Sequence, residues 1–230
     1  MIQDKLFFSP RKKSVINCPI NEIGYSIEEV KVRENSSFKI VKPENPIGKR
    51  ILHCHGNAGN ITSHIINIYP LVQEGCEVII WDYPGYGDVP GKPGFTNIIR
   101  HIDSFLKEFK SVDLIYGQSL GGIFATYMAS KINCKLALEG TWLSNIELVK
   151  DKSKFPIHKL ISDEISVKSF IKEVKDVRIM HSIADEVIPF RHGRMISDYT
   201  SKALIELGGF HLKSLLYKKY LDMVINEVVS

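Results

Sequence analysis

Tyr116-Gly117-Gln118-Ser119-Leu120-Gly121-Gly122, or YGQSLGG, lies between two apolar runs. It sets a serine between Gly117 and Gly121 where a buried strand would pass directly into a helix. Such a turn strains its central residue and leaves no room for side chains two positions before and two after it. The G-x-S-x-G spacing meets that demand and reads as a nucleophile elbow. By itself the spacing decides little, because three fixed positions recur by chance in roughly one chain in ten of this size. A helix-capping serine is the plain alternative. The surrounding sequence has to choose between them.

Working outward, VDLIYG before the serine is nearly all apolar, as a parallel strand buried on both faces should be. A helix is expected after the serine, over about 120–131. Upstream, Phe95, Ile98, Ile99, Ile102, Phe105, Leu106 and Phe109 follow helical spacing and form one apolar stripe. Further strands are expected at 24–32, 37–41, 50–56, 77–82, 135–140, 177–182 and 202–207. Helices are expected at 60–73 and 211–228. From residue 50 onward strand and helix alternate. That order implies an α/β fold, with a mostly parallel central sheet and helices on both faces. In such sheets the ligand site lies beyond the carboxyl ends of the strands. Chemistry is therefore sought in HGNAGN, DYPGYGD, GQSLG, EGTW, HSIADEVIP and GGFH.

A serine hydroxyl becomes a useful nucleophile at neutral pH when an imidazole takes its proton and a carboxylate orients the imidazole. On this topology the order along the chain should be Ser, acid, His. Asp185, after the strand at 177–182, and His211, after the strand at 202–207, fill those places. Taken singly, Asp185 reads as a turn residue and His211 as a helix-start residue. Together, on the right loops in the right order, they read with Ser119 as a catalytic triad. Two backbone N–H donors should face the developing oxyanion. Leu120 is expected to supply one and Asn57 the other, with Ala58 as the alternative donor. The Asn57 side chain could instead cap the following helix.

Glu139, at a strand end, is a possible substitute acid. Asp82 is expected to bind loop backbone, and His55 to shape the oxyanion loop. His181 and His192 read as structural, with no carboxylate at a suggestive position. No H-x-x-x-H or H-E-x-x-H spacing occurs, and the chemistry read here requires neither metal nor cofactor.

The runs HGNAGNITSH, WDYPGYGDVPGKP, YGQSLGG, HSIADEVIPFRHG and GGFH together resemble the α/β-hydrolase superfamily. Within it they are similar to the Bem46-like branch, serine hydrolases that include eukaryotic membrane-associated depalmitoylating enzymes. The resemblance covers about residue 24 to the end. It implies the same roles for Ser119, Asp185, His211, Asn57 and Leu120, and a small-molecule or acylated substrate. Asp88 stands where that branch usually has a small residue or serine. His181-Ser182 stands where it often has His-Gly.

The remaining features bound the reading. The 230 residues suit one domain, with about 70–75% of the unfolded surface buried. Alternation breaks over 140–176, which is either an ordinary crossover with a long loop or a small cap. Phe155, Ile157, Leu160 and Phe170 there suggest an apolar acyl pocket. The net charge of +4 is mild, and the densest basic cluster, Arg11-Lys12-Lys13, is too short for a nucleic-acid face. Cys18, Cys54, Cys76 and Cys134 form no C-x-x-C pair. With no secretory signal and no run near ~20 apolar residues, a cytoplasmic protein with reduced thiols and no transmembrane segment is expected. A catalytically silent binding module and a peptidase are the competing readings on the same fold.

Overall fold

Among the described residues, short runs rich in Val, Ile, Leu and aromatic residues build one sheet of eight strands. They are β1 (Ser26–Arg33), β2 (Ser36–Lys42), β3 (Arg50–Cys54), β4 (Glu77–Trp81), β5 (Leu114–Gln118), β6 (Lys135–Glu139), β7 (Val177–Ser182) and β8 (Leu204–Leu207). The computed structural model describes residues 2–11, 26–33, 36–109 and 111–229. Cys18 and the Lys12-Lys13 part of the basic cluster lie outside the described residues. The spatial order is β1-β2-β4-β3-β5-β6-β7-β8. β1 pairs antiparallel with β2, and β2 with β4; the pairings from β4 through β8 are all parallel.

Period-2 alternation sorts the strand side chains onto two faces. Leu52, Ile79, Trp81, Ile115, Leu136, Leu138 and Ile179 join one buried cluster. Ile51, Val78, Ile80, Leu114, Ala137 and Met180 join the other. The first face is covered by α3 (Phe95–Phe105) and α4 (Gly121–Ile132), the second by α2 (Ile61–Gln73) and α8 (Lys218–Val229). On α3 the expected stripe buries Phe95, Ile98, Ile102 and Phe105, and Phe109 follows in a 3₁₀ turn at Leu106–Phe109. α4 is buried on every side from Gly121 to Ala129, as a helix running behind a central strand must be.

Several expectations need correction. The last helix begins at Lys218 rather than at 211; residues 208–217 form a loop with a 3₁₀ turn at Ser214–Leu216. Two helices carry too weak an apolar pattern to be read from sequence. α1 (Ile2–Phe7) is only six residues long. α7 (Arg191–Thr200) buries His192, Gly193 and Ile196, a face that does not look hydrophobic in sequence. Residues 140–176 form neither one long helix nor a bare loop. They contain α5 (Asn145–Lys152), a 3₁₀ turn at Pro156–Leu160, α6 (Val167–Phe170) and a 3₁₀ turn at Ile171–Glu173.

Candidate active site

The chain leaves β3 toward β4, then returns to place β5 on the other side of β3. The loops after β3 and β5 therefore diverge at a topological switch point, where a crevice opens. Ser119 follows β5 directly, with φ +52°. The left-handed region costs an L-residue roughly 1–2 kcal/mol. Here the surroundings hold it: Ser119 N–H donates to the Glu139 carbonyl at 2.9 Å, and the Ser119 carbonyl accepts from Gly122 N–H at 3.0 Å. The two glycines are required by contact rather than by flexibility. A Cβ on Gly117 would lie 2.5 Å from the Ala125 Cβ, and one on Gly121 only 2.1 Å from the Cys54 carbonyl oxygen.

Asp185 and His211 meet across the ends of β7 and β8. His211 Nδ1 lies 2.7 Å from Asp185 Oδ2. The other carboxylate oxygen, Oδ1, accepts from the N–H groups of Val187 at 2.9 Å and Ile188 at 2.7 Å. With Nδ1–H donated to the carboxylate, Nε2 is the ring nitrogen left to take a proton. Burial pushes the Asp185 carboxyl up. The hydrogen bond and charge of His211, with the Ile188 and Val187 donors, outweigh burial and hold it below the ordinary aspartate value. The pair rests over Gly140: a Cβ there would stand 3.2 Å from both Asp185 Oδ2 and the His211 ring. Ser119 Oγ and His211 are not hydrogen-bonded to each other. The Leu212 side chain and Ser119 Cβ both lie beside Gly56, and Leu212 has φ +54°.

The loop after β3 is braced by aromatic residues of the DYPGYGD loop. Tyr83 OH donates to the His55 carbonyl at 2.5 Å, and the two rings stack with centroids 4.1 Å apart. His55 Nδ1 lies 2.7 Å from the Gly56 carbonyl; its Nε2, 3.4 Å from Asp82 Oδ1, makes no hydrogen bond. The Asn57 side chain does not cap α2. That cap is Asn60, which forms a capping box with Ser63, while Asp82 accepts from Ile61 N–H at 2.8 Å. Asn57 Oδ1 instead accepts from Ser9 N–H at 2.7 Å and from Tyr86 OH at 2.9 Å. Leu120 opens α4, where the first N–H groups have no intrahelical carbonyl to meet. The N-terminal end of α4 thus brings positive dipole character beside Ser119, while that of α2 is met by Asp82 and the Asn60 cap.

Ser119 and Asn57 border a pocket of about 430 Å³. Its apolar lining includes Trp142, Leu148, Val149, Ile157 and Ile188, with Lys152 at its edge. Of the four apolar residues expected to form an acyl pocket, only Ile157 lines it. Phe155 and Leu160 are exposed, and Phe170 packs edge-on against Tyr127. Two other lining residues, Leu6 and Phe7 of α1, carry no signal in the sequence that would mark them for the pocket. That helix is fastened at both ends. Gln3 exchanges two hydrogen bonds with Ser162, at 3.0 and 2.9 Å, and Arg11 N–H donates to the Gly59 carbonyl at 3.2 Å. Phe7 sits edge-on against Phe95 and tilted against Trp142.

The other singled-out polar residues fall elsewhere. Glu139 is not in contact with His211; its carboxylate accepts from Tyr116, Gln118 and Ser214. His181 and His192 do have carboxylates nearby, contrary to expectation. His181 Nε2 is 3.4 Å from Asp185 Oδ2 and 2.9 Å from the Ile188 carbonyl. His192 Nε2 is 2.8 Å from Asp151 Oδ2, which Arg191 also grips. The His192 pairing joins residues 41 apart, so spacing could not show it, whereas His181 and Asp185 stand at i and i+4. Cys54, Cys76 and Cys134 are free thiols. Among the described residues, no helix is long and apolar enough to cross a membrane.

Residues 49–144 match a family model described as the alpha/beta hydrolase fold. The chain is 26% identical over 193 residues to alpha/beta hydrolase domain-containing protein 17C of Mus musculus, an alignment covering 75% of this chain and 57% of that protein. The chain thus spans little more than half the length of that relative. It is 29% identical over 215 residues to an uncharacterized membrane protein of Saccharomyces cerevisiae, covering 83% of this chain and 74% of that one. In three dimensions it is similar to an esterase of Pyrococcus furiosus, with a TM-score of 0.73 at 14% identity over 97% of both chains. With its sheet order, its strained strand-to-helix turn and these matches, the chain has the α/β-hydrolase fold.

Proposed function

We propose that the protein is a serine hydrolase of carboxylic esters or thioesters, related to the Bem46-like branch. Ser119 is its nucleophile, His211 its general base and Asp185 the acid that orients His211. The observation that carries this reading is the Asp185–His211 pair, held at 2.7 Å on the same sheet edge as a serine at φ +52°. Ser119 Oγ attacks the acyl carbonyl as His211 Nε2 takes its proton. The N–H groups of Leu120 and Asn57 receive the oxyanion. His211 then protonates the leaving alcohol or thiol, and the acyl group stays on Ser119. Water, deprotonated by His211, attacks that acyl-enzyme and releases the acid with Ser119 restored. No metal or cofactor takes part in these steps. The nucleophile–base contact of such enzymes is often loose before substrate binds and tightens in the Michaelis complex.

The apolar pocket beside Ser119 suits an acyl chain, and its size falls within the ordinary range for ligand sites. Residues 140–176 act as a small cap that supplies part of its wall. A second reading, a catalytically silent binding module, rests on the lack of a hydrogen bond between Ser119 and His211. Covalent labelling with a fluorophosphonate, read as intact mass, separates the two. One adduct on the wild type and none on Ser119→Ala is expected. A folded wild type that takes no adduct would favour the silent module.

A further inference from the structure

Glu139 lies at the carboxyl end of β6, directly paired with Gln118 of β5, and is 2% exposed. A carboxylate in such a place is costly unless its oxygens are satisfied. Here both are. Oε2 accepts from Tyr116 OH and from Gln118 Nε2, the latter at 2.6 Å. Oε1 accepts from Ser214 Oγ. Gln118 is itself held, with its Oε1 2.9 Å from His53 Nε2. The main-chain carbonyl of Glu139 receives the N–H of Ser119. Tyr116, Gln118 and Ser119 belong to the elbow, whereas Ser214 lies three residues beyond His211.

The loop at 208–217 has further anchors: His211 N–H donates to Glu186 Oε2 at 3.1 Å, and Leu215 is buried in the core. Ser182 Oγ donates to the Gly209 carbonyl, and Gly208 N–H donates to Tyr220 OH at 2.8 Å. Both hold the loop where it enters. Past His211 the chain passes through Leu212 at φ +54° before Ser214 turns inward. An apolar residue would fill the Glu139 position with less desolvation, as Ala137 and Leu138 do on the same strand.

We infer that Glu139 is a positioning residue, whose carboxylate ties the loop bearing His211 to the strand bearing Ser119 and so sets the spacing of base and nucleophile. This rests on the reading of Ser119 and His211 given above. A misplacement of about 1 Å between reacting groups can cost about 10²-fold in rate. The tie therefore acts on turnover rather than on substrate binding.

The test compares wild type, Glu139→Gln, Ser214→Ala and the double variant as full chains. Tyr127→Phe serves as a control that loses a buried-face hydrogen bond to Asp103, at 2.6 Å, outside the site. The wild type must first take a fluorophosphonate adduct and hydrolyse p-nitrophenyl butyrate; failure at both sinks the hydrolase reading and this inference with it. With an active wild type, Glu139→Gln and Ser214→Ala should each lower kcat about 10–100-fold, with KM within about threefold. Labelling of Ser119 should slow by the same factor, and the double variant should be no slower than the slower single one. Tyr127→Phe should lower Tm and leave kcat unchanged. Wild-type kcat in Ser214→Ala overturns the inference even where Glu139→Gln folds poorly, because the tie runs through Ser214. Fully additive losses in the double variant overturn it as well.

Discussion

Replacing Gly121 by alanine tests the elbow through a single methyl group. At an ordinary helix position that change stabilises by up to about 1 kcal/mol. At Gly121 the new Cβ would stand 2.1 Å from the Cys54 carbonyl oxygen and 2.5 Å from that of His55. Ordinary contact begins near 3.4 Å, so α4 and β3 must separate by 3.4 − 2.1 = 1.3 Å. The obstacles are backbone atoms, and β3 is hydrogen-bonded on both sides, to β4 and β5. Overpacking of this kind costs about 1–3 kcal/mol. At about 2–4 °C per kcal/mol for a chain of this size, Tm should fall by roughly 2–12 °C. Cys54 and His55 lead directly into the loop of Asn57, so the displacement also reaches the proposed oxyanion donors. Labelling by fluorophosphonate should slow by about 10²-fold. Differential scanning calorimetry and the labelling rate measure the two effects. Gly48→Ala is the matched control: its φ is +73° with no neighbour within 4 Å, so it should lose about 1–2 kcal/mol and label normally. A Gly121→Ala protein with wild-type Tm and labelling rate would refute the contact argument.

Other outcomes follow from the same geometry. Asp185→Asn should fold and bind substrate normally but lose about 10³–10⁴-fold in kcat, because the amide favours the wrong imidazole tautomer; steady-state kinetics would show it. Stability should fall as pH drops from about 6.5 toward 4. Burial pulls His53 and His64 down to about 3 and His101 to about 4, so the folded rings stay neutral while the unfolded chain takes up protons. Each can contribute up to about 1.4 kcal/mol per pH unit, less for the partly exposed His64 and His101, and urea midpoints at pH 7, 6 and 5 would measure the sum. Asp185, held low, adds to stability above its unfolded value and loses that contribution as pH falls through its folded value. Leu6→Ala, at the half-exposed end of α1, should leave Tm unchanged and raise KM for longer acyl esters about two- to fivefold. An unchanged chain-length profile would remove α1 from the substrate pocket.

What could be read in the sequence was local or periodic. The stripe from Phe95 to Phe109 and the alternation of strand residues between two faces follow from the 3.6 and 2.0 residue repeats. Gly117 and Gly121 mark the turn because their crowding comes from the adjacent strand and helix. Asp185 and His211 could be paired in advance because parallel order puts consecutive strand ends on one edge. His211 does not start a helix, since a loop and a 3₁₀ turn separate it from α8. Three of the four apolar residues expected at the pocket, Phe155, Leu160 and Phe170, lie elsewhere for another reason. Hydropathy says that a side chain prefers burial, not which surface it meets, and Phe155 and Leu160 meet solvent.

By itself, then, the sequence determined the α/β order, the sheet edge on which chemistry would lie and the loops that would carry it, because periodicity and turn stereochemistry are properties of neighbouring residues. Only the tertiary structure decided that Leu6 and Phe7 wall the pocket, that Asn57 is held by Ser9 and Tyr86 rather than capping α2, and that Glu139 reaches Ser214 instead of His211. Each of these contacts joins residues far apart in the chain. Their meeting depends on sheet order and loop closure, which no local pattern encodes.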